Sequence, residues 1–156
     1  MSGKEGIAIH TASAIGLPGN YALPAVETVL NELARFPGAS SLVLEIQQLH
    51  VPLQAMISVP VETRVIPQGR GEWQLRICAA SQPKLYPTFA GVLSLAPAGE
   101  RSCELLLDGA YAVPLGVLGR AIDSTFLCGA AQASLERFVR EIANRVATLA
   151  RWAKFA

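Results

Sequence analysis

Histidine, charge of either sign and closely spaced cysteines are all scarce in this chain, and each scarcity removes a class of function. Only His10 and His50 can titrate near neutrality as side-chain bases. Neither stands in a hydrolase motif, which would need a nucleophile beside its activating base, so no catalytic residue is assigned. Charged residues make up 16% of the 156, thirteen basic against twelve acidic. A net charge of +1 supplies no field to steer the protein toward DNA, RNA or an acidic substrate, and no nucleic-acid partner is expected. Cys78, Cys103 and Cys128 are odd in number and lack C-x-x-C spacing, so they read as reduced, buried thiols. With no HExxH pattern either, no metal is expected.

Long apolar runs are also missing. Glu45, Gln54, Arg76, Asp108 and Gln132 interrupt every rich segment before about 18 residues accumulate, which excludes a membrane-spanning helix. The opening MSGKEGIAIHTASAIG has no sustained apolar stretch and does not read as a signal peptide, which implies a cytoplasmic protein. VPLGVLGRAID at 113–123 has two glycines but neither the G-x-G-x-x-G order nor the Lys-Ser/Thr ending that phosphate cradling requires. Pro114 there suits the first turn of a helix, and no cofactor is expected.

What the chain has in quantity is apolar side chains, 51% of the AVILMFWYC set. A chain of this length buries about 70% of the surface its unfolded form exposes, so one domain over residues 1–156 is expected. Period-two alternation appears from Gly6 to Ala14, from Val51 to Val61, from Trp73 to Ala79, from Thr88 to Ala96 and from Cys103 to Val113. The compositions of 67–71 (PQGRG) and 97–100 (PAGE) predict turns closing two hairpins. Pro52 and Pro60 fall on the outward face of their strand and predict an edge or bulged position for it, because proline donates no ladder hydrogen bond.

Helical spacing governs two segments. Val26, Val29, Leu30 and Leu33 predict a short helix from Pro24 to Phe36, with Pro24 in its first turn. Leu127, Ala131, Leu135, Phe138, Ile142, Val146 and Leu149 form one stripe of a helix over 124–152, about 43 Å long. Only a broad sheet surface can cover such a helix. Small residues at Gly129, Ala130, Ala131 and Ala133 thin its N-terminal half and predict a cavity there.

This order of strand, helix, antiparallel meander and long terminal helix resembles the START/Bet v 1-like (SRPBCC) superfamily, which includes polyketide cyclases and lipid-transfer proteins. LPAVETVLNEL at 23–33, FAGVLSL at 89–95 and YAVPLGVLGRAID at 111–123 carry the resemblance. It implies an α+β helix-grip fold, a curved antiparallel sheet wrapped around a long C-terminal helix. It also implies an apolar cavity between the two that holds a lipid, a polyketide or a similar hydrophobic molecule.

The residues expected to line that cavity follow from parity and position. Tyr111 shares the inward parity of Leu105 and Leu107, and its phenol must find a partner or a ligand. Trp73 shares the parity of Leu75 and Ile77, His50 lies at an expected strand bend, and Leu127 and Ala131 lie on the thinned helix stripe. Arg76 and Glu62 have outward parity and read as a solvated face. The basic and aromatic end of the chain, with Phe138, Trp152 and Phe155, suits peripheral contact with anionic lipid. It is explained more simply by cations complementing a helix C-terminus and by aromatics packing back on the sheet. Two other functions fit the same pattern: a cyclase or isomerase in which Tyr111 or His50 polarises a carbonyl, and an interaction module with a filled core.

Overall fold

The computed structural model describes residues 7–36, 40–47, 54–80, 88–112 and 124–154, with side chains described outside 40–47, 54–59, 124–131 and 153–154. The elements run β1 (Ile7–Ile15), α1 (Gly19–Arg35), β2 (Ser40–Gln47), β3 (Gln54–Gly69), β4 (Glu72–Ala79), β5 (Thr88–Pro97), β6 (Cys103–Ala112) and α2 (Ser124–Lys154). The strands form one six-stranded antiparallel sheet in the order β1-β6-β5-β4-β3-β2. β2 to β6 are a meander, and β1 returns to pair with β6.

Curvature follows from one relation. β1 and β2 are the two edges, yet α2 packs against both. At about 4.8 Å per strand a flat sheet would hold those edges roughly 24 Å apart, twice the width of a helix. The sheet therefore curls around α2, and the chain has the helix grip that the family resemblance implies.

Period-two alternation decides what faces the helix. Ile9, Thr11 and Ile15 of β1, Val61 and Thr63 of β3, and Trp73, Leu75 and Ile77 of β4 are buried. So are Phe89 and Leu93 of β5 and Cys103, Leu105, Leu107 and Tyr111 of β6. Ser134, Leu135, Phe138, Val139, Ile142 and Val146 of α2 meet them. α1 packs on β3, β5 and α2 and adds Ala22, Val26, Val29 and Leu30.

Five expectations are corrected. α1 starts at Gly19, where Pro18 O accepts from the N–H groups of Tyr21 and Ala22 at 3.1 Å each, so Pro24 lies inside the helix. Ala22 is buried but too small to announce the earlier turn by hydropathy. Pro67 to Gly69 belong to β3, with a register shift between Pro67 and Gly69, and only Arg70-Gly71 turn, Gly71 at φ 78°. β3 is paired on both sides, so it is not an edge. Pro60 is accommodated because its carbonyl accepts from Ala80 N at 2.9 Å, which aims the missing N–H past the end of β4. Pro52 and Pro114 lie outside the described residues.

The fourth and fifth corrections concern exposure. The α2 stripe is buried from Leu135 to Val146, but Leu149 is 37% and Trp152 74% exposed, so Trp152 does not pack back on the sheet. Cys103 is buried as expected, whereas Cys78 is only half-buried, its thiol directed at Glu62 O on the outward face. Arg76 is exposed and Glu62 half-exposed beside Arg64, in agreement with their outward parity.

Candidate functional site

The interior between sheet and α2 is apolar, with a few polar groups at defined places. Tyr111 of β6 is 2% exposed and its ring meets Phe89 edge-on, with centroids 6.1 Å apart and planes at 62°. Its hydroxyl hydrogen-bonds with Ser134, a buried residue of α2. Burial pushes the phenol pKa up, and the Ser134 bond offsets part of that rise. The Tyr111 phenol is thus a neutral group held inside the grip. Burial likewise raises the Cys103 thiol.

Thr63 of β3 lies in the same transverse row, which runs Thr63, Ile77, Phe89, Tyr111 and Ile7 across five strands. It is 2% exposed, and its hydroxyl has no hydrogen-bond partner among the described residues. Such a group costs roughly 1–3 kcal/mol while it stays unpaired. Trp73 is buried two inward rows along, beyond the row of Leu75, Gly91 and Gly109, in line with Leu93 and Leu107. Leu105 and Leu107 are fully buried on the same face.

The structure thus brings Trp73, Leu105, Leu107 and Tyr111 to one concave surface. His50 lies outside the described residues, and Leu127 and Ala131 lie in α2 with side chains that are not described. Sequence reasoning missed Thr63 and Ser134. Thr63 has the parity of Val61 and Val65, so its inward direction was available, but its lack of a partner was not.

A second polar constellation lies where α2 passes the free edge of β1. His10 Nδ1 donates to Asp108 Oδ1, its direct neighbour across the β1–β6 ladder, and both side chains are largely exposed. Gln132 Nε2 donates to His10 O at 2.7 Å and to Glu136 Oε1 at 3.0 Å. Beside this bridge is a groove of about 250 Å³ lined by His10, Thr11, Ala12, Ser13, Glu136 and Arg140. Among the described residues no group of three or more His, Cys, Asp or Glu side chains is placed to hold a metal. Among them also, no helix is long and apolar enough to cross a membrane.

No protein-family model and no curated protein sequence matches this chain. Solved structures do. A START superfamily protein from Mycobacterium smegmatis superimposes with a TM-score of 0.54 at 13% identity, covering 91% of this chain and 98% of that one. The chain has a START-like fold. The Streptomyces aromatase/cyclase Zhui shares it with a TM-score of 0.51 at 13% identity, over 92% of this chain and 93% of its own. The two-domain ARO/CYC protein StfQ of the steffimycin biosynthetic pathway gives a TM-score of 0.57 at 12% identity, over 96% of this chain and 53% of StfQ. This chain therefore spans about half of that protein. At these identities the likeness is one of fold, and it does not say what chemistry is performed.

Proposed function

We propose that the protein binds a hydrophobic small molecule, a lipid, polyketide or similar compound, between the concave sheet face and α2. Thr63 carries this reading: a buried hydroxyl without a partner among the described residues stands on a largely apolar surface. An acceptor on a bound ligand recovers its hydrogen bond, while the apolar walls supply about 25 cal/mol per Å² of apolar surface covered. The START-like fold shared with a protein named as an aromatase/cyclase agrees with such a site. Native mass spectra of protein purified from its own host, recorded before and after denaturation, test the reading. A specific co-purifying apolar compound is expected, and a clean ligand-free mass in repeated preparations overturns it.

Tyr111 favours a second reading, a cyclase or isomerase acting on the same ligand. Its phenol is neutral, buried and fixed by Ser134, the state in which an O–H polarises a carbonyl. Turnover of the co-purified compound, lost in Tyr111→Phe with binding retained, distinguishes enzyme from carrier.

A further inference from the structure

The seam between β1 and α2 holds a cation that makes no ion pair among the described residues, although an acid lies one turn away. Arg140 follows Glu136 by four residues, the spacing at which the two side chains ordinarily pair on a helix. Here they do not. Among the described residues Arg140 makes no ion pair, while the Glu136 carboxylate accepts from Gln132. Gln132 is itself held at His10 O, and the other acid at the seam, Asp108, is taken by the His10 imidazole. Each acid has a partner, and none is Arg140.

The opposite wall is an open sheet edge. Among the described residues β1 pairs only with β6, and in an antiparallel ladder alternate residues turn both N–H and C=O away from the partner strand. His10 O is turned away, because Gln132 reaches it from α2. Ala12, two residues on, therefore turns its N–H and C=O toward the same side, where it lines the groove with Ser13, Glu136 and Arg140. The groove is thus lined by a guanidinium, a serine hydroxyl and a backbone N–H that has no partner among the described residues. That set of donors matches a planar oxyanion.

We propose that this seam binds a small carboxylate-bearing ligand, with Arg140 as the charged anchor and the Ala12 N–H and Ser13 hydroxyl as further donors. Glu136 stays in the lining and repels a second negative charge, which favours a monocarboxylate over a phosphate dianion. At about 250 Å³ the groove falls below the roughly 300–1,000 Å³ that encloses a drug-sized molecule, so it takes a small acid or the acidic end of a longer one. The site opens outside the grip and stands independently of the interior one.

Titration of the full-length protein with benzoate and, separately, with inorganic phosphate, followed by amide NMR shifts and calorimetry, tests the assignment. Saturable benzoate binding is expected, with the Ala12 and Ser13 amides shifting and affinity exceeding that for phosphate. Arg140→Gln weakens benzoate about tenfold or more, by loss of a charge-assisted bond, whereas Arg145→Gln on the same helix leaves it unchanged. Glu136→Gln narrows the preference over phosphate. Non-saturable shifts, or equal binding by Arg140→Gln and the parent, overturn the site; tighter phosphate than benzoate in the parent overturns the ligand class. Arg140 is solvent-exposed, so an unchanged thermal midpoint in Arg140→Gln verifies that the loss is of binding and not of folding.

Discussion

Gly91 of β5 and Gly109 of β6 stand directly opposite one another, and the ring of Phe89 lies over both. A Cβ built on either glycine would come within 2.7 Å of Phe89 Cζ and would strike backbone of the neighbouring strand, Asp108 O from Gly91 and Ala90 O from Gly109. The pair sits at inward parity among Phe89, Leu93, Leu107 and Tyr111. The missing side chains make room for the aromatic ring where the sheet bends toward α2.

Alanine at either position is therefore expected to cost about 3 kcal/mol, since neither the ladder nor the enclosed ring can give way cheaply. Gly69→Ala, with nothing within 4 Å of its Cβ, is expected to stay within about 0.5 kcal/mol of the parent. Denaturant midpoints of the three variants decide it.

Thr63→Val is expected to stabilise the ligand-free protein by about 1–2 kcal/mol, because it keeps the shape and removes a buried hydroxyl that has no partner among the described residues. Thr63→Ser brings no such gain. A lower urea midpoint for the valine variant would show that the hydroxyl is satisfied and would remove the main support for the interior ligand.

Tyr111 makes stability depend on alkaline pH. Below the ordinary phenol pKa of 10.0 folded and unfolded chains both keep the proton, and the stability is fully present. Above it the unfolded chain releases the proton while the folded chain, its pKa raised by burial, holds it. Stability then falls as pH rises through the folded value. Unfolding midpoints measured between about pH 9 and 11 are expected to drop more steeply for the parent than for Tyr111→Phe.

Leu107 and Asp108 are consecutive but face opposite sides of β6. Leu107→Ala is expected to cost about 2–5 kcal/mol by opening a cavity. Asp108→Asn, which weakens an exposed pair with His10, is expected to cost less than about 1 kcal/mol. Thermal denaturation of both variants reads the difference, and comparable losses would mean that the parity of β6 is misassigned.

Alternation and helical spacing are properties of neighbouring residues, and they settled which way side chains face. Trp73, Leu105, Leu107 and Tyr111 are buried, Arg76 is exposed, and the stripe from Leu135 to Val146 meets the sheet, as their spacing implied. The order of elements was legible for the same reason, and the helix grip followed from the family resemblance that this order carries. Local signals misled where a residue's role rests on a distant neighbour. Pro60 reads as an edge or bulge residue until Ala80 is seen beside it, and Trp152 reads as packed but is 74% exposed.

Pairing between remote residues belongs to the tertiary structure alone. Tyr111 finds Ser134 only because the curled sheet brings β6 under α2, and nothing in either segment names the other. That the Thr63 hydroxyl and the Arg140 guanidinium lack partners among the described residues is likewise visible only in the tertiary structure. Periodicity tells a side chain which face to occupy at no cost in chain entropy. Which group it meets there is decided by closure of the sheet around the helix, a long-range event that no short window of residues encodes.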